Sequence, residues 1–156
     1  MGIPSFETPD YSELFSEEKE MIKKLKKTFL MVAGGAVQKY GPQLEDHQQL
    51  LIAAADILIE IYMAESAILR TEKNAKRFGE EAQSAQIAMA KLYLYHAVDI
   101  VEEKGKESII SFAEGDEQRM MLMGLKRFTK YANYPDIVDL RIEIAEKVKA
   151  ENKYCF

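Results

Sequence analysis

The sequence predicts an all-α fold, an antiparallel bundle of four to five helices. Three observations carry that expectation. Apolar residues recur at helical spacing along almost the whole chain. The stretch Leu44–Lys76, LEDHQQLLIAAADILIEIYMAESAILRTEKNAK, is apolar on nearly every side of a helix, as an element with neighbours all round would be. Glycine and proline fall between the helical runs, at Gly41-Pro42, Gly79, Gly105 and Pro135.

The first fifteen residues, with Pro4 and Pro9, read as an extended linker, and residues 16–156 as one helical domain. Ser16 is a good N-cap, with Glu17, Glu18 and Glu20 in the first turn where the helix dipole favours acids. The first helix then buries Ile22, Leu25, Phe29, Val32, Ala36 and Tyr40 and stops at Gly41-Pro42. Gly34 and Gly35 lie in its middle, each costing about 1 kcal/mol against alanine, and point to close helix packing or a mild kink. In the second helix Leu50, Ile57, Ile61 and Ile68 share one line. Leu51, Leu58, Tyr62 and Leu69 flank it, and Ile52, Ile59 and Met63 fall on the far side. Asp56, Glu60, Glu65 and Arg70 oppose a membrane span, so this helix is expected at the centre of the bundle, ending near Gly79.

A third helix runs from about Glu80 to Lys104, with Ile87, Ala90, Leu94, Ala97, Val98 and Val101 inward, and Gly105 ends it. The following KESIISFAE is ambiguous, a short helical turn at most. A fourth helix starts at Asp116 as N-cap and reaches about Ala132. Pro135 opens a fifth that buries Ile137, Leu140, Ile144 and Val148. Its VDLRIEI tract alternates like a strand, but the chain offers no partner strand.

At 156 residues the chain suits a single domain able to bury about 70% of its unfolded surface. With 47% hydrophobic and 30% charged residues it has an ordinary soluble composition. A formal charge of −5 argues against nucleic acid as the main partner. The lone Cys155 forms neither an internal disulfide nor a metal cluster, and no signal peptide is visible. These features point to the cytoplasm, at most with peripheral membrane attachment.

Few residues suggest chemistry. A di-metal site in a bundle needs Glu-x-x-His on two helices, yet Leu44 and Tyr93 stand three residues before His47 and His96. No phosphate-binding loop or nucleophile elbow is present. His96 with Asp99 reads as a capping or surface hydrogen bond. Glu65 falls among Ile61, Ile68, Leu58 and Leu69, so it is expected as a buried structural charge paired with Arg119, Arg127, His96 or a tyrosine hydroxyl.

The fourth helix carries the sharpest binding signal. Met120, Met121, Gly124, Leu125, Phe128, Tyr131 and Ala132 make its apolar face, and Arg119, Lys126, Arg127 and Lys130 cover much of the other, with Met123 exposed among them. A core helix with a solvated lysine face would look like this. So would a helix that meets an anionic membrane surface or an acidic partner.

The tracts FLMVAGGAVQKYG and LEDHQQLLIAAADILIEIYMAESAILRTEK, with the junction-like MGIPSFETPDYSELFSEEKEMIKKLKK, resemble the C-terminal extension of long-chain and very-long-chain type acyl-CoA dehydrogenases, especially bacterial ones. The resemblance spans essentially the whole chain. It implies a parent flavoenzyme that desaturates fatty acyl-CoA thioesters in β-oxidation, with FAD and the catalytic carboxylate in a core that nothing here matches. No catalytic, cofactor-binding or metal-binding residue therefore carries over to any position.

The extension it implies is a second helical bundle that packs on the catalytic core, contributes dimer contacts and associates with membranes. On that reading the chain is non-catalytic. Its partners are the core, a second copy and an anionic membrane, with Arg119, Met123, Lys126 and Lys130 as contacting residues. The alternative is a free-standing helical interaction module, a homodimer or an adaptor. An enzyme using Glu65 or His96 as acid/base has the weakest support, because neither comes with a recognisable second partner.

Overall fold

Five helices follow one another in the computed structural model, which describes residues 13–153. They are α1 (Ser16–Tyr40), α2 (Gln48–Phe78), α3 (Ser84–Phe112), α4 (Gly115–Thr129) and α5 (Ile137–Glu151), with short 3₁₀ turns at Gly41–Asp46 and Glu81–Gln83. No strand occurs among the described residues, so the VDLRIEI tract is helix. Residues 1–12, most of the expected linker, and Cys155 lie outside the described residues.

The bundle reaches further toward the N-terminus than expected. Leu14 packs on the core and Phe15 is buried at 2% exposure. Phe15, not Ser16, is the N-cap of α1, and it sits at φ 65, a conformation usually left to glycine or asparagine. The Ser16 hydroxyl points back and donates to the Glu13 carbonyl. Burial of the Phe15 ring offsets the local backbone cost.

The central element is α3, not α2. It packs against α1, α2, α4 and α5. Small residues allow this: Ala85, Ala88, Ala90, Ala97, Gly105 and Ser108 are all buried, and they let neighbours close in on several sides. Gly105 does not end α3, which continues through the ambiguous segment to Phe112. A Cβ at Gly105 would lie 2.9 Å from Leu125 Cδ1, so glycine serves there to admit α4. Gly35 does the same for Phe112 and Met121, and Gly124 for Met31. Three helical glycines thus set the α1–α3–α4 spacing, whereas Gly34 faces open space.

Helix α2 buries a single seam of Ile57, Ile61, Ala64, Ile68, Thr71, Glu72 and Ala75 against α1 and α3. That three-four spacing is the geometry of antiparallel helices packed edge to edge. Helix α4 takes Glu114 as N-cap, with Asp116 already inside the helix. Helix α5 is capped by Asp136, whose carboxylate accepts from the Val138 and Asp139 amides at 3.0 and 3.1 Å. Among the described elements it packs on α3 alone, and none of its residues is fully buried. Ile137, Leu140 and Ile144 are half-buried and Val148 is exposed, short of the burial expected for all four.

Candidate interaction surfaces

One consequence of the seam on α2 is a broad apolar surface on its other side. Leu51, Ile52, Leu58, Ile59, Tyr62, Met63 and Leu69 are all 42–68% exposed. At about 100° per residue they share an outward sector with Ala55 and Ser66, and no charge enters it between residues 51 and 69. Asp56, Glu60 and Glu65 fall at its margins. The sector extends onto α1. The Lys26–Glu65 pair fixes which side of α1 meets α2, and exposed Leu30 and Val37 lie one and three turns beyond Lys26 on that side. Seven large apolar side chains in one uncharged sector exceed the scattered exposure normal for a monomer surface.

The second surface is the outer face of α4. Arg119, Met123, Lys126 and Lys130 share one exposed line, as their spacing requires. Arg119 leans on Asp116 at 3.3 Å, and Met123 is 65% exposed. Met120, expected inward, is 63% exposed and joins this face, and Leu122 turns partly inward. Leu125 and Thr129 are the buried positions, so the inward sector is rotated from the one expected and Ala132 lies beyond the helix. Lys130 is the C-cap residue of α4, and its carbonyl accepts from Lys24 Nζ at 3.2 Å. A lysine from α1 thus sits where the dipole of α4 is negative.

Glu65 is not a buried charge. Its side chain is 38% exposed and pairs with Lys26 Nζ at 2.6 Å, with none of the candidate partners foreseen. It stands beside the seam residue Ala64, one position off the buried line. The carboxylate that is buried is Glu72, 11% exposed, and it accepts from both Lys19 and Lys76 at 2.8 Å. Hydrogen bonds from Lys19 and then Lys76 hold its carboxyl below the usual 4.5, against the opposing effect of burial. The signal for Glu72 was available: it is four residues past Ile68 on the same face, with Lys76 one turn further.

Of the remaining titratable groups, His96 is exposed and meets the edge of Tyr95 at 5.6 Å between ring centroids. His47 stacks on Tyr40 at 3.7 Å. The pair walls a cleft of about 700 Å³ at the bundle end, lined also by Asp46, Gln48, Glu107 and Ser111. Tyr93 donates to Glu60 at 2.9 Å, and burial followed by that carboxylate pushes its hydroxyl up to about 12. Among the described residues no three His, Cys, Asp or Glu side chains converge on a common point suited to a metal ion. None of the described helices is long and apolar enough to cross a membrane.

Comparison with known proteins gives these surfaces a setting. Residues 24–127 match the family described as acyl-CoA dehydrogenase, C-terminal domain. Over 143 residues the chain is 34% identical to a probable acyl-CoA dehydrogenase of Bacillus subtilis (strain 168), covering 92% of this chain and 24% of that protein. It superposes on the crystal structure of an acyl-CoA dehydrogenase complexed with FAD from Bacillus anthracis with a TM-score of 0.88 and 35% identity, covering 92% of this chain and 25% of that one. The chain thus spans about a quarter of the length of these relatives. It belongs to the acyl-CoA dehydrogenase C-terminal domain family.

Proposed function

We propose that this chain is the non-catalytic helical domain of an FAD-dependent acyl-CoA dehydrogenase of fatty-acid β-oxidation, acting in the cytoplasm and supporting assembly of the enzyme. The observation that carries this reading is the uncharged outward sector of α2. Half-burying seven Leu-sized side chains is worth about 5–10 kcal/mol before the costs of association. A domain joined covalently to its partner loses less freedom on docking than a separate protein would, so a surface of this size suits permanent packing on the catalytic core. FAD would be held by the remainder of the enzyme, in keeping with the FAD complex of the longer B. anthracis relative. On this reading the residues before Leu14 join the catalytic core to the bundle, and the enzyme is a homo-oligomer.

Leu58→Glu in the full-length polypeptide tests the reading, because Leu58 is 49% exposed within the sector and absent from the bundle core. Helix content should be retained, with loss of assembled, flavin-loaded enzyme. Assembly and flavin content equal to wild type would reject docking through α2.

A second role is supported by the outer face of α4, where Met120 and Met123 stand exposed among Arg119, Lys126, Arg127 and Lys130. Cations with interspersed flexible apolar side chains suit the headgroup region of an anionic membrane. Lys126→Glu with Lys130→Glu should weaken binding to anionic vesicles, and unchanged binding across a salt series would reject it.

A further inference from the structure

The outward sector of α2 continues past Leu69 with a change of chemistry. Lys73 follows the line of Ala55, Tyr62 and Leu69, while Arg70 and Arg77 follow that of Ile52, Ile59 and Met63. The sector is therefore apolar for about 27 Å and cationic over the last two turns of the helix. Arg70, Lys73 and Arg77 are all exposed and make no ion pair among the described residues. Arg77 stacks on Phe78 at 5.0 Å, which steadies the guanidinium and leaves its N–H edge free to donate.

The acids of α2 keep off this sector. Asp56, Glu60 and Glu65 stand at its margins, and Glu72 lies in the seam between Lys19 and Lys76. The helix dipole accounts for the cations of the last turn, Lys76 and Arg77, but its effect does not reach back to Arg70 and Lys73. Three like charges at one end of an otherwise uncharged surface constrain whatever covers it. A wholly apolar cover would strip water from unpaired cations and offset part of the apolar gain. Carboxylates at that end of the cover restore the balance, and the same cover laid the other way round forfeits them.

We propose that Arg70, Lys73 and Arg77 bind a cluster of carboxylates on the catalytic core and so fix the direction in which α2 docks. The inference rests on docking through α2 and adds the chemistry of the facing surface, an apolar strip that ends in acids opposite the C-terminal turns of α2.

Met63, 49% exposed within the sector, is a built-in reporter of docking, since peroxide oxidises a methionine only where it is accessible. Its oxidation in the full-length polypeptide is followed by mass spectrometry, with the urea-unfolded polypeptide giving the unprotected rate. Met63 of the wild type should oxidise well below that rate. Lys73→Glu with Arg77→Glu should raise it about tenfold, because reversed charges would face the carboxylates. Lys73→Arg with Arg77→Lys keeps both charges and should retain the wild-type rate. Met21, 2% exposed in the bundle core, should stay slow throughout. If Met21 also became fast in the reversal, the bundle itself would have opened. Lys73→Gln with Arg77→Gln, which sets no acid at the helix end, then replaces it in the same comparison. Met63 equally slow in wild type and in the charge-altered variant would overturn the carboxylate contact and leave docking through α2 standing. Met63 as fast in the folded wild type as in urea would overturn both.

Discussion

Gly34 and Gly35 are neighbours in the middle of α1, yet a methyl group added at each meets opposite circumstances. At Gly34 a Cβ would find nothing within 4 Å. At Gly35 it would lie 2.8 and 2.9 Å from Phe112 ring atoms and 2.9 Å from the Met121 methyl. Alanine gains about 1 kcal/mol of helix propensity at either position, through the same change in the unfolded chain. The difference between the two variants therefore isolates packing. Met121 has flexible torsions and can move aside, but Phe112 is a rigid ring at 3% exposure inside the core. Overpacking of that kind costs about 1–3 kcal/mol. Gly34→Ala should be stabilised by about 1 kcal/mol, and Gly35→Ala should fall about 2 kcal/mol below it. For a domain of this size that gap is about 4–8 °C in Tm. Thermal denaturation followed by circular dichroism, with urea titration for ΔG, reads it directly. If Gly35→Ala were as stable as Gly34→Ala, glycine would not be setting the distance between α1 and the α3–α4 pair.

Glu72→Gln should destabilise the bundle by about 1 kcal/mol at neutral pH, a modest figure because Lys76 is mostly exposed and its contribution is screened. The Glu72 carboxyl is held below 4.5 in the folded state, so its stabilisation is complete above that pH and disappears as pH falls through the folded value. The gap between wild type and Glu72→Gln in urea midpoint should therefore be constant above pH 5 and shrink below pH 4.5. Asp136→Ala removes the carboxylate that accepts from the Val138 and Asp139 amides at the start of α5 and should cost about 1 kcal/mol, seen as early fraying in amide hydrogen exchange. Glu65→Gln should change stability by no more than about 0.5 kcal/mol in the same urea assay, because its pair with Lys26 is half in water.

Helix ends marked by backbone chemistry were legible in the sequence. Gly41-Pro42 and Gly79 terminate α1 and α2 as read, because the glycine after each last turn takes a positive φ that breaks the α-helical path. Gly105 carries the same residue type for a different reason, contact with Leu125, and nothing local to it separates a stop from a close approach. The placement of α2 at the centre went wrong through the same ambiguity at a larger scale. Apolarity on every side of a helix records all the surfaces it covers, including those toward a partner outside this chain, and does not rank them. The abundance of alanine in α3 was the better sign of a central helix.

Glu65 shows how narrow the buried seam is. A wheel puts it among Ile61, Ile68, Leu58 and Leu69, but two of those four are themselves exposed, and the seam runs through Ala64 beside it. The basic face of α4 was readable because exposed charge keeps to helical spacing. The contact of Lys24 with the Lys130 carbonyl was not, since it depends on which helices pack together.

The most direct test of the account is the size and flavin content of the native polypeptide that carries this sequence, captured from its source cell with an antibody to the bundle. A domain built to dock through α2 onto an FAD-bearing core predicts a protein several times larger than 17.8 kDa, with flavin absorbance in the captured material. A colourless protein near 18 kDa would contradict it, and the exposed sector of α2 would then belong to a free-standing interaction module.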